Sequence, residues 1–316
     1  MKKIVSMMLA LLLCLGALAA PAALAEDKPT VVATTFPIYD WARQIIGGEE
    51  KINLVLLLNN GIDLHNYNPT ASDIRTVNNC DLFIYIGGES DAWVDDILRV
   101  GDNDQRQTLC LMEALGDAAK GEEVKEGMEQ EEEEEEEAAS DEHIWLSLRN
   151  AQTLCGAITD ALAAMCPEDA DTFRANNEAY CALLSDLDGQ YADMIGASAY
   201  DTLLFCDRFP FRYFVDDYNL EYYAAFPGCS AATDISIETI RFLRNKVDEL
   251  NLPAVLLLEG SDTRFAETVL RESQNKDRPI IMVNSMQGVT TQDVEQGATY
   301  LAIMQDNLDA FRAALN

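Results

Sequence analysis

Histidine is scarce in this sequence: His65 and His143 are the only two among 316 residues. A neutral imidazole is the commonest protein ligand for a transition metal, so the position of each histidine is informative. Both lie in short acidic and aromatic stretches, at 61–70 and 141–146. This setting suggests a metal site, although a histidine taken alone is more often a surface or core residue, so the rest of the sequence has to decide.

The cysteines form no CxxC pair, and seven of the eight remain when Cys14, in the N-terminal apolar run, is set aside. An odd number without close pairs argues against a disulfide scaffold and against a thiolate zinc site. Most of these cysteines are therefore expected in the core, with Cys206 and Cys229 as one conceivable bridge.

Basic residues are also few, since 22 Lys and Arg stand against 55 Asp and Glu, for a formal net charge of −33. So acidic a chain is a poor partner for nucleic acid or for an anionic membrane. Its charge favours cations instead.

Several catalytic motifs are missing. No glycine-rich phosphate loop follows a predicted strand, and the sequence contains neither a GxSxG elbow nor HExxH. A secreted metallohydrolase would need an open metal position and a nearby general base, for which Glu259 is available. A buried carboxylate that supports the fold explains Glu259 better, so we expect no enzymatic activity.

Long apolar runs are absent except at the N-terminus, where two lysines precede residues 4–20 and Ala-Leu-Ala at 23–25 follows. This pattern predicts a cleaved signal peptide at 1–25 and an exported protein, in the periplasm or on the cell surface. Lipid attachment at Cys14 stays open, because Leu13 occupies a site that normally holds a small residue.

Six short, nearly continuous apolar runs alternate with helical patterns. Continuous rather than alternating apolar residues indicate strands buried on both faces of a parallel sheet, which predicts an α/β fold. The predicted strands are 30–36, 52–58, 81–87, 202–206, 254–259 and 279–283.

A long helix is predicted between the third and fourth strands. Apolar residues from Phe173 to Met194 follow one helical stripe. We therefore expect two (β/α) lobes with parallel sheets, at 26–166 and 198–316, joined by one long rigid helix at 167–197.

An acidic segment at 121–142 has thirteen Asp and Glu residues, including seven consecutive glutamates at 131–137. Blocks of like charge repel and are typically disordered. The segment is either a solvated linker or a loop that attracts cations, and its end at His143 favours the second interpretation.

Polar residues follow the predicted strands, where ligands bind in open α/β sheets. Two imidazoles with oxygen donors suit Zn²⁺ or Mn²⁺ better than Cu⁺. The residues expected at one crevice between the lobes are Asp63, His65, His143, Asp207, Arg208, Glu259 and Asn284.

Four stretches together resemble a known family. Residues 31–38, 65–70 (His-Asn-Tyr-Asn-Pro-Thr), 143–146 (His-Ile-Trp-Leu) and 299–308 are similar to the metal-binding receptors of ABC importers for zinc and manganese. The similarity covers essentially the whole mature chain. It implies two lobes bridged by a stiff helix, with one divalent metal between them.

The resemblance also implies the ligands, of which His65 and His143 are the first two. An ungapped count puts Arg208 at the third position, but arginine has no lone pair to donate. A shift of one residue puts Asp207 there, with Asp234 as another possibility, and Asn284 falls at the fourth. Asp63 and Glu259 are expected to line the cleft or support the ligands.

The resemblance implies that the chain, as a monomer, captures a divalent metal and delivers it to an ABC permease and its ATPase. Zinc is the first candidate metal and manganese the second. A metal-stabilised surface adhesin and a secreted metallohydrolase are the alternatives. In this family the acidic segment occupies the place of a His-rich or acidic insert, so we expect it to collect metal weakly. Deleting 122–140 should then leave about one tight site per chain.

Overall fold

The computed structural model describes residues 28–48, 51–101, 103, 105–129, 140–230 and 234–316. The predicted signal peptide, with Cys14, and the glutamate run at 131–137 lie outside these residues. Within the described ranges, no helix combines the length and apolar character that crossing a bilayer requires.

Two four-stranded sheets form the framework, and every strand pairing in them is parallel. Their orders are β2-β1-β3-β4 and β6-β5-β7-β8, so the two sheets share one topology. The strands are β1 (Thr30–Ala33), β2 (Asn53–Leu56), β3 (Leu82–Tyr85), β4 (Gln107–Cys110), β5 (Thr202–Phe209), β6 (Glu221–Pro227), β7 (Val255–Leu258) and β8 (Ile280–Val283).

Helices alternate with these strands, which confirms the predicted α/β fold of two parallel-sheet lobes with a long helix between them. The helices are α1 (Phe36–Ile46), α2 (Ala71–Asn78), α3 (Trp93–Val100), α4 (Leu111–Leu115), α5 (Leu148–Met165), α6 (Ala170–Gly196), α7 (Arg212–Tyr218), α8 (Ile237–Glu249), α9 (Arg264–Glu272), α10 (Thr291–Glu295) and α11 (Tyr300–Ala314).

Two strands, β4 and β6, were not predicted. Both are edge strands, and β4 is half exposed while β6 begins with an exposed glutamate, so neither starts as a continuous apolar run. The predicted end of β5 at Cys206 is also wrong. The strand continues through Asp207 and Arg208, with a shift in register against β6.

The long helix α6 buries one stripe against both lobes. It packs on α1 and α5 of the N-terminal lobe and on the C-terminal helix α11. The lobe boundaries at 166/167 and 197/198 stay a prediction. The buried residues are those of the predicted stripe: Phe173, Tyr180, Leu184, Leu187, Tyr191 and Met194.

Helix α11 makes a second connection between the lobes. Although it follows the C-terminal sheet, Tyr300 donates its backbone N–H to Asp40 in α1 at 2.8 Å and its hydroxyl to the Trp145 carbonyl at 2.6 Å. The Trp41 and Tyr300 rings meet edge to face, with centroids 5.2 Å apart. Helix α11, like α6, therefore holds the two lobes together.

Adjacent leucines of α6 provide a test of this packing. Leu184 is fully buried, whereas Leu183 is 53 % exposed. Leu184→Ala should lower the free energy of unfolding by about 2–5 kcal/mol, because it leaves a cavity. Leu183→Ala should change it by less than about 0.5 kcal/mol. Urea unfolding measures both, and equal losses would show that the stripe does not carry the packing.

Candidate metal site

His65 is held at the carboxyl end of β2 by its own short turn. Residues Leu64–Asn66 form a 3-10 helix, and the side chain of Asp63 caps it by accepting the His65 backbone N–H at 3.1 Å. The turn begins at Asp63, a few residues after β2 ends at Leu56, and so fixes the chain before helix α2. Helix α2 itself starts at a capping box formed by Thr70 and Asp73. The imidazole is placed by local hydrogen bonds.

His143 is completely buried just before α5. One carboxylate oxygen of Asp141 accepts the backbone N–H of His143 at 2.9 Å and lies 3.0 Å from Nδ1 of the His143 ring. The Asp141 carbonyl in turn accepts the hydroxyl of Tyr213 from α7 at 2.9 Å. A residue of the C-terminal lobe therefore braces the segment that carries His143.

The two imidazoles meet at their Nε2 atoms, which are 3.2 Å apart. Two nitrogens that each lie 2.0–2.1 Å from a zinc ion at tetrahedral angles are about 3.3 Å apart. The observed separation therefore fits two ligands of one metal ion.

The other ring nitrogens face groups that orient metal-binding histidines. When Nδ1 of His143 donates its hydrogen to the Asp141 carboxylate, the Nε2 lone pair of the neutral ring is left for a metal. Nδ1 of His65 lies 2.7 Å from the Ser90 hydroxyl and 3.7 Å from Oε2 of Glu142, an oxygen with no hydrogen-bond partner within the described residues. A carboxylate behind each imidazole is the usual support of a histidine-bound metal.

Buried charge makes this site suited to a cation. Burial, and next the charge of His143, lower the pKa of His65 to about 3. Burial raises the pKa of Glu142 and raises that of Asp91, which accepts the Gly87 N–H, to about 7. The surroundings thus oppose a proton on His65 and leave carboxylates whose negative charge a metal ion stabilises.

A pH dependence follows for the metal-free protein. The unfolded chain binds a proton at His65 below about pH 6.5, but the folded chain does so only near 3, so stability falls as pH drops through this window. The loss should reach about 1.4 kcal/mol per pH unit. Urea unfolding in chelator at several pH values should show a flatter profile for His65→Asn. Parallel profiles would contradict the depressed pKa.

A third side chain joins the histidines. The Cys229 thiol forms with His65 and His143 a group whose ligand atoms all lie within 4.8 Å of one another. Sequence reasoning missed it as a ligand because Cys229 follows β6, an unrecognised strand. The rule that located His65, a polar residue after a strand, would also have found Cys229.

Glycine at 228 permits this approach. A Cβ there would lie 3.1 Å from Cε1 of His143 and 2.8 Å from the Phe209 carbonyl oxygen. The Cys229 backbone N–H donates to Glu122 at 2.7 Å, which fixes the loop. Burial, together with Glu122 and Asp141, raises the pKa of the Cys229 thiol.

Arg208 joins the lobes across the cleft. Its guanidinium donates to Asp63 at 2.6 Å. Burial alone would raise the pKa of Asp63, but Arg208 and then His65 lower it overall. The amide of Gln287, oriented so that its nitrogen donates to Asp63 at 2.8 and 2.9 Å, turns its oxygen to Nε2 of His143 at 2.9 Å, where the oxygen accepts a hydrogen when Nε2 carries one. Gln287 therefore adds an oxygen donor that the sequence analysis did not name.

The remaining predicted residues make other contacts. The Asp207 carboxylate accepts the backbone N–H groups of Arg208 at 2.8 Å and Leu258 at 3.0 Å, and it is outside the three-residue group. The Asn284 amide oxygen accepts the Met286 N–H at 2.7 Å. Asp207 is thus not grouped with the two histidines, and backbone N–H groups occupy oxygens of both Asp207 and Asn284. Metal binding by Asp207 and by Asn284 stays a prediction.

Glu259 and Asp234, the other two acidic candidates, differ in exposure and in hydrogen bonding. Asp234 is exposed. Glu259 accepts the Ser285 N–H at 2.7 Å and its hydroxyl at 2.8 Å, and burial raises its pKa. Glu259 therefore supports the loop after β8.

The described ends of the acidic segment are packed against the C-terminal lobe. Gly121 pairs with Ser140, the Glu129 backbone N–H donates to Ala225 in β6 at 2.8 Å, and its carboxylate accepts the Ser236 N–H at 2.6 Å. The disorder predicted for 121–142 is thus wrong for 121–129 and 140–142. A deletion that spares these residues is the cleaner way to remove the glutamate run.

Comparison with known proteins identifies the family. The family model for the periplasmic component A of the zinc-uptake complex, ZnuA, matches residues 31–314. The chain belongs to the ZnuA family.

Relatives in the ZnuA family include two curated proteins. The zinc-binding lipoprotein AdcA of Streptococcus pneumoniae strain R6 is 29% identical over 290 residues, which cover 91% of this chain and 56% of AdcA. The high-affinity zinc uptake system protein ZnuA of Bacillus subtilis is 28% identical over 295 residues, which cover 92% of this chain and 88% of that protein. The chain thus spans just over half the length of AdcA.

Solved structures share the fold. The Zn(II)-bound ZnuA-like domain of S. pneumoniae AdcA superposes with a TM-score of 0.72 at 26% identity, covering 91% of this chain and 99% of that one. The periplasmic zinc-binding protein TroA of Treponema pallidum gives 0.73 at 22% identity, covering 91% and 99%. Two lobes and a connecting helix are therefore common to this chain and these metal-binding proteins. Members of the family are solute-binding proteins of zinc uptake systems.

Proposed function

We propose that this chain is an extracytoplasmic receptor that captures one Zn²⁺ between its lobes and delivers it to an ABC permease with its ATPase. Manganese is the second candidate metal. His65 and His143 are the proposed ligands. The chain performs no chemistry of its own on the metal.

One observation carries the proposal: the Nε2 atoms of two imidazoles from different segments face each other at 3.2 Å, in a buried acidic setting. Neutral imidazoles so close together, each backed by a carboxylate, gain from a shared cation. The zinc-binding names of the AdcA and ZnuA relatives support the choice of metal.

Delivery requires release, and the lobes provide the means. His65 and Asp63 belong to the N-terminal lobe, whereas Arg208 and Cys229 belong to the C-terminal lobe, so the site is assembled across the cleft. A change in the lobes' relative position would take the donors apart. We propose that docking on the permease causes this change, and that the receptor acts as a monomer in the periplasm or at the cell surface.

Zinc titration and growth together test this function. The mature chain, freed of metal and titrated with zinc against a chromogenic chelator, should bind one tight equivalent. Cells without the gene should grow poorly in chelator-treated medium and recover with added zinc. A chain that binds no zinc, or cells indifferent to zinc limitation, would contradict the proposal.

A metallohydrolase receives no support from the geometry. Glu259, the available base, has both oxygens bonded to Ser285. Near the histidines, Asp141 is hydrogen-bonded to His143, and Glu142 accepts the Ser90 N–H with Oε1 and turns Oε2 to the ring of His65, which it would support as a metal ligand. Assay of the zinc-loaded chain against ester and phosphoester substrates should show no turnover above that of His65→Asn.

A further inference from the structure

We propose that Cys229 supplies a thiolate to the metal held by His65 and His143, and that this sulfur makes the receptor select zinc over manganese. The inference rests on the proposed function, because it concerns the same site. It replaces Asp207 as the third ligand.

Position supports Cys229 first. The thiol sulfur lies within 4.8 Å of both imidazole nitrogens, whereas no Asp or Glu of the described chain joins that group. Zinc bonds of about 2.3 Å to sulfur and 2.0–2.1 Å to nitrogen place tetrahedral ligands roughly 3.5 Å apart. The sulfur is thus within a small side-chain rotation of a shared ion.

The loop that carries Cys229 is built for close approach. Gly228 lacks the Cβ that would meet the His143 ring at 3.1 Å, and Glu122 holds the Cys229 N–H at 2.7 Å. Glu122 comes from the other side of the acidic segment, next to the Gly121–Ser140 bridge. The segment that leads into His143 therefore also holds the backbone of Cys229 in place.

Charge compensation favours a thiolate only when metal is present. Burial and the nearby carboxylates Glu122, Asp141 and Glu142 oppose an anionic sulfur in the metal-free chain. A divalent cation reverses this balance, because a coordinating thiol is deprotonated. On binding, an S–metal bond replaces the S–H bond and the proton leaves to solvent.

Donor softness then decides between the metals. Manganese prefers carboxylate, carbonyl and water oxygens, whereas zinc accepts imidazole and thiolate readily and lies above manganese in intrinsic affinity. A His₂Asp site would leave manganese competitive, but a His₂Cys site penalises it. Gln287 places a neutral amide oxygen 2.9 Å from Nε2 of His143, so it adds no carboxylate beside the site.

Cobalt(II) provides a direct probe, because a cobalt–thiolate bond gives a near-ultraviolet charge-transfer band that imidazole and carboxylate donors do not. The mature chain, kept reduced and loaded with one equivalent of cobalt, should show the band. Cys229→Ser should lose it and bind zinc about 100-fold more weakly, while its manganese affinity stays within about threefold. Cys206→Ser is the control, because Cys206 is another thiol of the C-terminal lobe that lies outside the group.

The outcomes separate this inference from the proposed function. One bound cobalt without the band, or equal loss of the band in Cys206→Ser, would overturn the role of Cys229 and leave the receptor function standing. The wild-type spectrum decides this even when a variant fails to fold. A chain that binds neither cobalt nor zinc would overturn both.

Discussion

Zinc affinity is expected to fall by more than about 100-fold when His143 is replaced by asparagine, because loss of even an outer partner of a ligand typically costs 10–100-fold. Asparagine keeps an N–H donor near Asp141 but cannot place a lone pair where Nε2 of His143 meets Nε2 of His65. Competition with a chromogenic chelator measures the change.

Gln287→Ala is the matched control for this substitution. It removes a neutral amide beside the same nitrogen but leaves both imidazoles in place. We expect a loss of about tenfold from it, the lower end of the range for an outer partner of a ligand. Equal effects of the two substitutions, or unchanged affinity in His143→Asn, would mean that the metal lies elsewhere.

Trp145→Ala is expected to have the largest effect on stability, a loss of about 3–5 kcal/mol in the free energy of unfolding. The indole is buried beside His143, with ring centroids 5.3 Å apart, and its N–H donates to the Ser285 carbonyl at 2.8 Å. Its own carbonyl accepts the Tyr300 hydroxyl. The substitution therefore opens a cavity where the site segment, the β8 loop and α11 meet.

Urea unfolding in chelator measures this loss, and a pair of phenylalanine variants refines it. Trp145→Phe should lower the free energy of unfolding by about 1–3 kcal/mol more than the same Trp-to-Phe change at a position without this hydrogen bond, because the Ser285 carbonyl loses its donor. Trp93→Phe is the control, since the indole N–H of Trp93 has no hydrogen-bond partner within the described ranges. A loss below about 1 kcal/mol for Trp145→Ala would contradict the packing described here.

Periodicity predicted the fold well where burial is one-sided or complete. The six residues of the α6 stripe from Phe173 to Met194 are the helix's buried residues, because a helix between two lobes must bury one face. Strands such as β7, buried along all four residues, were equally visible. The edge strand β4 was not, because its first two residues are exposed and polar. The strand β6 was also missed, although only its first residue, Glu221, is exposed.

The site was harder to predict because tertiary contacts determine which polar residue reaches it. Asp207 was a reasonable ligand from spacing, but the irregular end of β5 directs its carboxylate to the N–H groups of Arg208 and Leu258. Cys229 was excluded as a ligand by its lack of a CxxC partner. A metal site needs donors that converge in space, and neither sequence spacing nor residue type shows that Gly228 lets this loop approach His143.

The acidic segment shows the limit of reasoning from composition. Charge alone predicted disorder over 121–142, yet Glu122 and Glu129 accept backbone N–H groups of the C-terminal lobe. Each carboxylate is thus held by a backbone donor of the C-terminal lobe, whatever the charge of its neighbours in sequence.

Zinc K-edge X-ray absorption of the mature chain loaded with one equivalent of zinc tests the central claim most directly. We expect two imidazole nitrogens at about 2.0–2.1 Å, with a sulfur at about 2.3 Å if Cys229 also binds. The imidazole scattering should halve in His143→Asn. A spectrum with oxygen neighbours only, unchanged by that substitution, would contradict a metal site between His65 and His143.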